Sequence, residues 1–595
     1  MWFACSPPSV RYIALFLTMC KPERSKSQAS NDNRELSVPQ KRYFLGLHIG
    51  HDRAITVADD TNLVFHTAVE RLDRKKHSDS FHLPVEEIKT VLLYLNVDVS
   101  ELRGVCISYL AVDASRVSMT LEASFRDAFP DFEGRFSALD HHLAHALGAK
   151  VCSGFDEALV VVADGAGDQR LWGSQSETIY HVSSDTFYLL DERVQSPPLT
   201  YINRPEFYDP SYFRPDDQER QISLGLKYEQ ITYLCGFGPG QAGQTMALAA
   251  FGKPLFDYRN MLPKDLSFSL RYTDFLREFE ALARADGLSL IQFAKSRRSD
   301  IAATYQAYLS EALSAIVKDA LDRFPSKRVC FSGGLFLNCL SNRRLHDEHP
   351  DRELFFFPAC NDEGQSIGTA AYAYWQEHSR LPRRPKEFPY LGREFSDAEC
   401  EAALNSLDLQ YDRLSDDSLL DRLVDLLSAG NIVGLLRGRS ECGPRALGHR
   451  SILADPRSME SKRRLDEGIK RRAEFRPYAP MILKERSGEV TDFVESAPHM
   501  LVTASVKPLD RDRIPSVVHV DGSTRVQTVG SDDDLWLRDL LERFNARTGV
   551  PVLLNTSFND EVQPMVDSPS DAIDMFRSTD LDVLVLGNCL HLKRG

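Results

Sequence analysis

Short apolar runs that close on Gly or Asp turns alternate along this chain with stretches of helical spacing. That pattern predicts an α/β core whose strand-end loops face a phosphate or nucleotide. YFLGLHIGHDRAITVADD and NLVFHTAVE predict two or three short strands joined by polar turns, followed by a helix around 85–95. EALVVVADGAGD predicts a strand ending in the acidic turn that holds Asp164, Gly165 and Asp168. KRVCFSGGLFLN predicts another, running into Gly333, Gly334 and Asn338 before a helix. No such turn is specific by itself, because a glycine after a strand usually makes only a tight turn.

Around 378–395, HSRLPRRPKEFPYLGREF brings Pro382, Pro385 and Pro389 and little apolar periodicity, which marks a linker at 379–394. The chain of 595 residues then divides into a part at 43–378 and a part at 395–595. Two domains suit a length well above the roughly 100–200 residues common for one. After the linker Ser396 is placed to cap a helix, and NIVGLLRG, VPVLLNTS and DVLVLGN read as strands. The sequence shows no internal repeat. Near the start, YIALFLTMC is shorter than the ~20 residues that span a bilayer, so residues 1–42 are expected to be a disordered extension or a start-codon artefact.

Composition narrows the field. At 43% hydrophobic and 26% charged residues, disorder, collagen and coiled coil are excluded. Lys and Arg number 71 against 86 Asp and Glu, a net charge of −15, which argues against broad nucleic-acid binding but allows a local basic patch for small anions. The eleven cysteines form no CxxC pair, as expected of a reduced, cytoplasmic protein.

Three constellations carry chemistry. In DHHLAHALGA, His141 and His145 are four apart on a helix that Asp140 can cap, so both can ligate one metal; two core or surface histidines are the plainer alternative. PACNDEGQSIG supplies Asp362, a carboxylate that completes a facial set for Fe(II) or another divalent ion, or else caps the following helix. The segment 437–486 holds 14 Lys or Arg against 7 Asp or Glu, with Gly438, Gly443 and Gly448 where backbone can approach a ligand. Its second half, 462–472, reads as a solvated basic helix. Downstream, Arg525 and the strand end at Asn555, Thr556, Ser557 and Asn559 suit a nucleotide or phosphate pocket.

These residues, with HDRAITVADD, ERLDRKKHSDSF, QTMALAAFGKP, GRSECGPRALGHRSILADPR, FRPYAPMIL, HVDGSTRVQTV and LNTSFND in order, resemble the O-carbamoyltransferases that act on antibiotics and nodulation factors, the NodU/CmcH type. The resemblance covers nearly everything after residue 43 and departs from the family at Asp168 and in NDEVQPMV. It implies an N-terminal actin-like (ASKHA) domain similar to the tRNA threonylcarbamoyl transferases. It also implies a C-terminal α/β domain similar to the threonylcarbamoyl-AMP synthases (YrdC-like). ATP, accompanied by Mg, and carbamoyl phosphate would give carbamoyl adenylate in the C-terminal domain. The N-terminal domain would then pass the carbamoyl group to a hydroxyl at an iron-type site. By motif match, His141, His145 and Asp362 are the metal ligands, and Arg439, Arg445, Arg476, Arg525 and Asn555 belong to the adenylation pocket.

Chemical sense agrees. Carbamoyl phosphate and ATP carry several negative charges that an arginine pocket would concentrate, and an alcohol needs a metal or base to become a competent nucleophile. The expected partner is a small-molecule hydroxyl acceptor, such as a natural product or sugar, with a homodimer as an option and neither nucleic acid nor membrane. The competing readings are a tRNA threonylcarbamoyl enzyme, an actin-like ATPase or sugar kinase, and a nucleotide-binding regulator. The acceptor pocket is expected in the proline-rich loop 191–221.

Overall fold

The first three apolar runs become β1 (Tyr43–Ile49), β2 (Ala54–Ala58) and β3 (Leu63–Ala68), an antiparallel meander. In the computed structural model, which describes residues 41–110, 114–170, 173–195 and 221–593, the sheet continues with β4 (Leu102–Tyr109) and β5 (Arg135–Ala138). These run parallel to β1, giving the order β3-β2-β1-β4-β5. The expected extension at 1–42 lies almost wholly outside the described residues, as do positions 196–220 of the expected acceptor loop.

A second sheet repeats this plan. β6 (Ala158–Ala163) is flanked on one side by antiparallel β8 (Gly173–Val182) and β9 (Phe187–Gln195), and on the other by parallel β10 (Arg328–Ser332) and β11 (Glu353–Phe356). The short β7 (Gln169–Arg170) turns back on β8. β6 therefore corresponds to β1, and the strand order recurs although the sequence shows no repeat. Each sheet is followed by a helix, His141–Ser153 after β5 and Gln365–His378 after β11. The two helices pack at backbone contact: a Cβ on Gly368 would lie 1.9 Å from the Ala144 carbonyl oxygen. The second also lies on β1, where a Cβ on Gly46 would lie 2.2 Å from the Ser366 carbonyl oxygen. Only glycine permits such approaches.

Beyond 379–394, whose Leu381, Phe388 and Leu391 are buried, Ser396 caps the helix Asp397–Asn405 with a reciprocal bond from Glu399. A nine-stranded mixed sheet follows. It comprises β12 (Asp412–Arg413), β13 (Val433–Leu436), β14 (Arg450–Ala454), β15 (Ala479–Leu483), β16 (Val502–Ser505), β17 (Ser523–Val529), β18 (Val552–Ser557), β19 (Val583–Leu586) and β20 (Cys589–Leu592). Alternation along the strands decides the faces. Leu435, Leu453, Met481 and Leu553 pack under the helices Asp416–Ser428 and Leu535–Thr548. Ile452, Ile482 and Leu554 belong to the core shared with the first part of the chain. The fold is mixed α/β, and no described helix is long and apolar enough to cross a membrane.

Candidate functional site

The paired helices bring one group of polar side chains together. Asp140 accepts from Leu143 N, so His141 opens the first helix and His145 follows one turn later, both fully buried. Asp362 comes from the turn just ahead of the second helix, and Asp164 from the residue after β6. His145 Nε2 lies 3.3 Å from Asp362 Oδ1 and 3.6 Å from Asp164 Oδ2; His141 Nε2 lies 3.4 and 3.2 Å from the same two oxygens. His48 Nε2 is 3.5 Å from Asp362 Oδ2. Ser332 Oγ, 3.2 Å from His145 Nδ1, and Ser108 Oγ, 3.0 Å from His48 Nδ1, set those rings.

Two imidazoles and two carboxylates whose ligand atoms lie within 4.8 Å of one another fit a divalent cation. Gln365 reaches into the same group: its Nε2 donates to Asp362 Oδ1 at 2.9 Å and lies 2.9 Å from His141 Nε2 and 3.2 Å from His145 Nε2. Burial pushes His141 down, but Asp362 and Asp164 outweigh it and raise its pKa well above the ordinary value. His142 faces away, 2.9 Å from Thr178 Oγ1, and burial lowers it to about 3. Asp362 caps neither helix start.

The second group lines a cavity of about 310 Å³ between the two parts of the chain. Arg445, Lys470, Arg472, Arg476 and Arg525 form its cationic wall, while Asp52, Glu70, Lys76 and His77 come from the first part. Arg476 pairs with Glu561 at 3.3 Å. Lys470 Nζ donates to Ser557 O, to Asn559 O at 2.7 Å and to Asn559 Oδ1 at 2.9 Å. Burial, then Arg472 and Arg476, depress Lys470 well below the ordinary lysine value. Among the described residues the side chains of Arg445 and Arg525 have no hydrogen bond or ion pair, and the buried Nε of each is unpartnered. Burial, then the charge of Arg445, lowers Arg525 too. The nearby Glu441 accepts instead from Leu447 N, His449 N and Arg450 N at 2.8, 2.8 and 3.0 Å.

Three expected pocket residues sit elsewhere. Arg439 donates from Nη2 to the carbonyls of Val64 and Leu391, both at 2.6 Å, and from Nε to that of Gly392 at 3.1 Å, which ties its head to backbone away from the cavity. Asn555 is fully buried and bonds Gln527 Oε1 at 2.8 Å. Asn338 caps the helix Cys339–Glu348 and pairs with Gln306. Gly333 holds φ +93°, and Gly334 N donates to Asp164 Oδ1 at 3.0 Å, which draws that loop toward the histidine cluster. Gly165 gives its carbonyl to Ser223 Oγ at 2.8 Å. The solvated helix expected at 462–472 needs correction. The helix Met459–Arg464 passes into a π-type turn, Leu465–Lys470, which turns Lys470 inward. Arg472 stacks on Tyr478, 4.0 Å from the ring centre. His48 and Gln365 escaped sequence reasoning because a histidine in an apolar strand and a glutamine at a helix start carry no spacing signal.

Between the groups, Asp52 pairs with His51 at 3.1 Å and His77 at 3.0 Å and accepts from Asn361 Nδ2 at 3.3 Å, one residue before Asp362.

A buried cation-type cluster beside an anion-seeking cavity is the equipment of a group-transfer enzyme, and comparison with known proteins gives the group. Residues 120–371 match the carbamoyltransferase N-terminus family and residues 424–593 the carbamoyltransferase C-terminus family. The chain is 32% identical to nodulation protein NolNO of Sinorhizobium fredii, over 91% of this chain and 79% of that one. It is also 32% identical to nodulation protein NolO of Bradyrhizobium diazoefficiens, over 77% and 79%. A solved structure of full-length HypF aligns with a TM-score of 0.40 at 15% identity, covering 57% of this chain and 56% of that one. The protein belongs to the carbamoyltransferase family and is a transferase enzyme.

Proposed function

We propose that the protein is an ATP-dependent O-carbamoyltransferase. In this reading carbamoyl phosphate, ATP and water give carbamoyl adenylate, phosphate and pyrophosphate in the arginine cavity. A hydroxyl of a small-molecule acceptor, a natural product or sugar, then attacks the carbamoyl carbon, its proton leaves, and AMP departs. The observation that carries it is the pair Arg445 and Arg525, two guanidiniums without a partner among the described residues, since unpaired buried charge is costly unless an anion completes it.

His141, His145, Asp164 and Asp362 would hold a divalent ion such as Fe(II), which supplies Lewis acidity toward the acceptor hydroxyl. The side chains around it orient that donor set, and a Mg ion would accompany ATP. The reading divides the chain at 379–394 into an actin-like transfer domain, supported by the repeated strand order, and a YrdC-like activating domain. It places the enzyme in the cytoplasm, with all nine described cysteines unpaired.

The test is pyrophosphate exchange into ATP with and without carbamoyl phosphate, followed by mass spectrometry of small-molecule extracts for the gain of one carbamoyl group. Exchange that ignores carbamoyl phosphate overturns the proposal.

A further inference from the structure

The loop that presents Arg445 is held from both sides. Within it, the Glu441 carboxylate gathers the amides of Leu447, His449 and Arg450. From outside comes Arg71, 3% exposed and carried on the short helix Glu70–Asp73 of the other part of the chain. Its Nη1 donates to the Glu441 carbonyl at 2.6 Å and its Nη2 to the Gly443 carbonyl at 2.7 Å, the two carbonyls that straddle Cys442 just before Pro444 and Arg445. Gly443 has φ +96°, and a Cβ there would lie 2.4 Å from the Pro358 carbonyl oxygen, so the loop reaches Arg71 along a path open only to glycine.

The same segment reaches the other rim of the cavity. Arg74 donates to the carbonyls of Met565 at 2.7 Å and Pro564 at 3.1 Å, and Lys76 Nζ donates to the Glu561 carbonyl at 2.5 Å. Residues 70–77 therefore form a strap that holds the Arg445 loop on one side and the loop 561–565 on the other, while Glu70, Arg71, Lys76 and His77 line the cavity between them.

We infer that Arg71 is a positioning residue for Arg445, so that the anion pocket of one part of the chain is assembled by a side chain of the other. Arginine is needed because its planar fork meets two carbonyls at once, whereas lysine offers a single point charge. The inference rests on the reading of the cavity as the carbamoyl phosphate site, and its test is independent of turnover.

Calorimetry with inorganic pyrophosphate on the full chain compares wild type, Arg71→Ala and Arg71→Lys, with melting temperature and metal content as controls. Both variants should weaken binding by about tenfold or more, from misplaced charge-assisted contacts. Metal content should stay at the wild-type level, and guanidinium ion should restore affinity to Arg71→Ala but not to Arg71→Lys, where the new side chain blocks the vacated space. Unchanged affinity in a folded variant, or weakened affinity that guanidinium leaves untouched, overturns the inference. If Arg71→Ala does not fold, the Arg71→Lys affinity decides. A wild type that binds no pyrophosphate removes the pocket and this inference together. A wild type that binds it in an Arg71-dependent way but never consumes carbamoyl phosphate leaves the inference standing and sinks the proposed reaction.

Discussion

Asp362 meets His145 across 217 positions of the chain, with Oδ1 3.3 Å from Nε2. The contact exists because the turn before one helix faces the first two turns of its partner. If this is the ion site, Asp362→Ala and His145→Ala should each lose the bound metal and carbamoyl transfer, while pyrophosphate exchange in the arginine cavity persists. Elemental analysis of the purified proteins checks it, and full metal occupancy in both variants would refute the ligand assignment.

Gly368 sets the distance between those helices. In Gly368→Ala the new Cβ meets the Ala144 carbonyl at 1.9 Å, backbone that cannot swing aside. The variant should lose about 1–3 kcal/mol of stability by overpacking and bind metal more weakly, because His141 and His145 shift against Asp362. Thermal melting and metal titration measure the two effects. Wild-type values for both would show that the helices have slack.

Arg445 has no partner among the described residues, which leaves its guanidinium for an anion. Losing a charge-assisted hydrogen bond costs about 1.5–3 kcal/mol, and Arg445→Lys should lower carbamoyl phosphate-dependent turnover roughly 10- to 150-fold with metal content unchanged. Steady-state kinetics decide, and near-wild-type turnover removes the residue from the site.

Glu441 ties its loop to the pH scale. Burial pushes its carboxyl up, but His449, Arg450 and Arg71 pull it below the ordinary value. A depressed folded-state pKa adds stability that is fully present above the unfolded value of about 4.3 and disappears as pH falls through the folded value. The melting-temperature advantage of wild type over Glu441→Gln should therefore hold at neutral pH and shrink below about pH 4. A gap that is constant with pH would mean that the charge contributes nothing.

The apolar runs determined β1 to β3, β6, β10, β13, β18 and β19, because burial on a sheet needs only local alternation and a turn residue at the end. The spacing of His141 and His145 was equally legible, since four residues make one helical turn, and so was the arginine richness around Arg445. The recurrence of the first sheet's strand order in the second leaves no sequence trace, because strand order depends on long-range pairing and not on residue identity. Spacing could not assign Asp164 to the histidine cluster either; that followed from β6 and β1 occupying corresponding places, which brings their ends together. Arg439 and Arg445 look alike in the sequence, yet three backbone carbonyls hold the first and none of the described residues pairs the second. Lys470 belonged to an apparently solvated helix until one π-type turn rotated it inward. Which charges are buried, and which of them lack partners, depends on neighbours supplied by distant segments, and only the tertiary structure decided that.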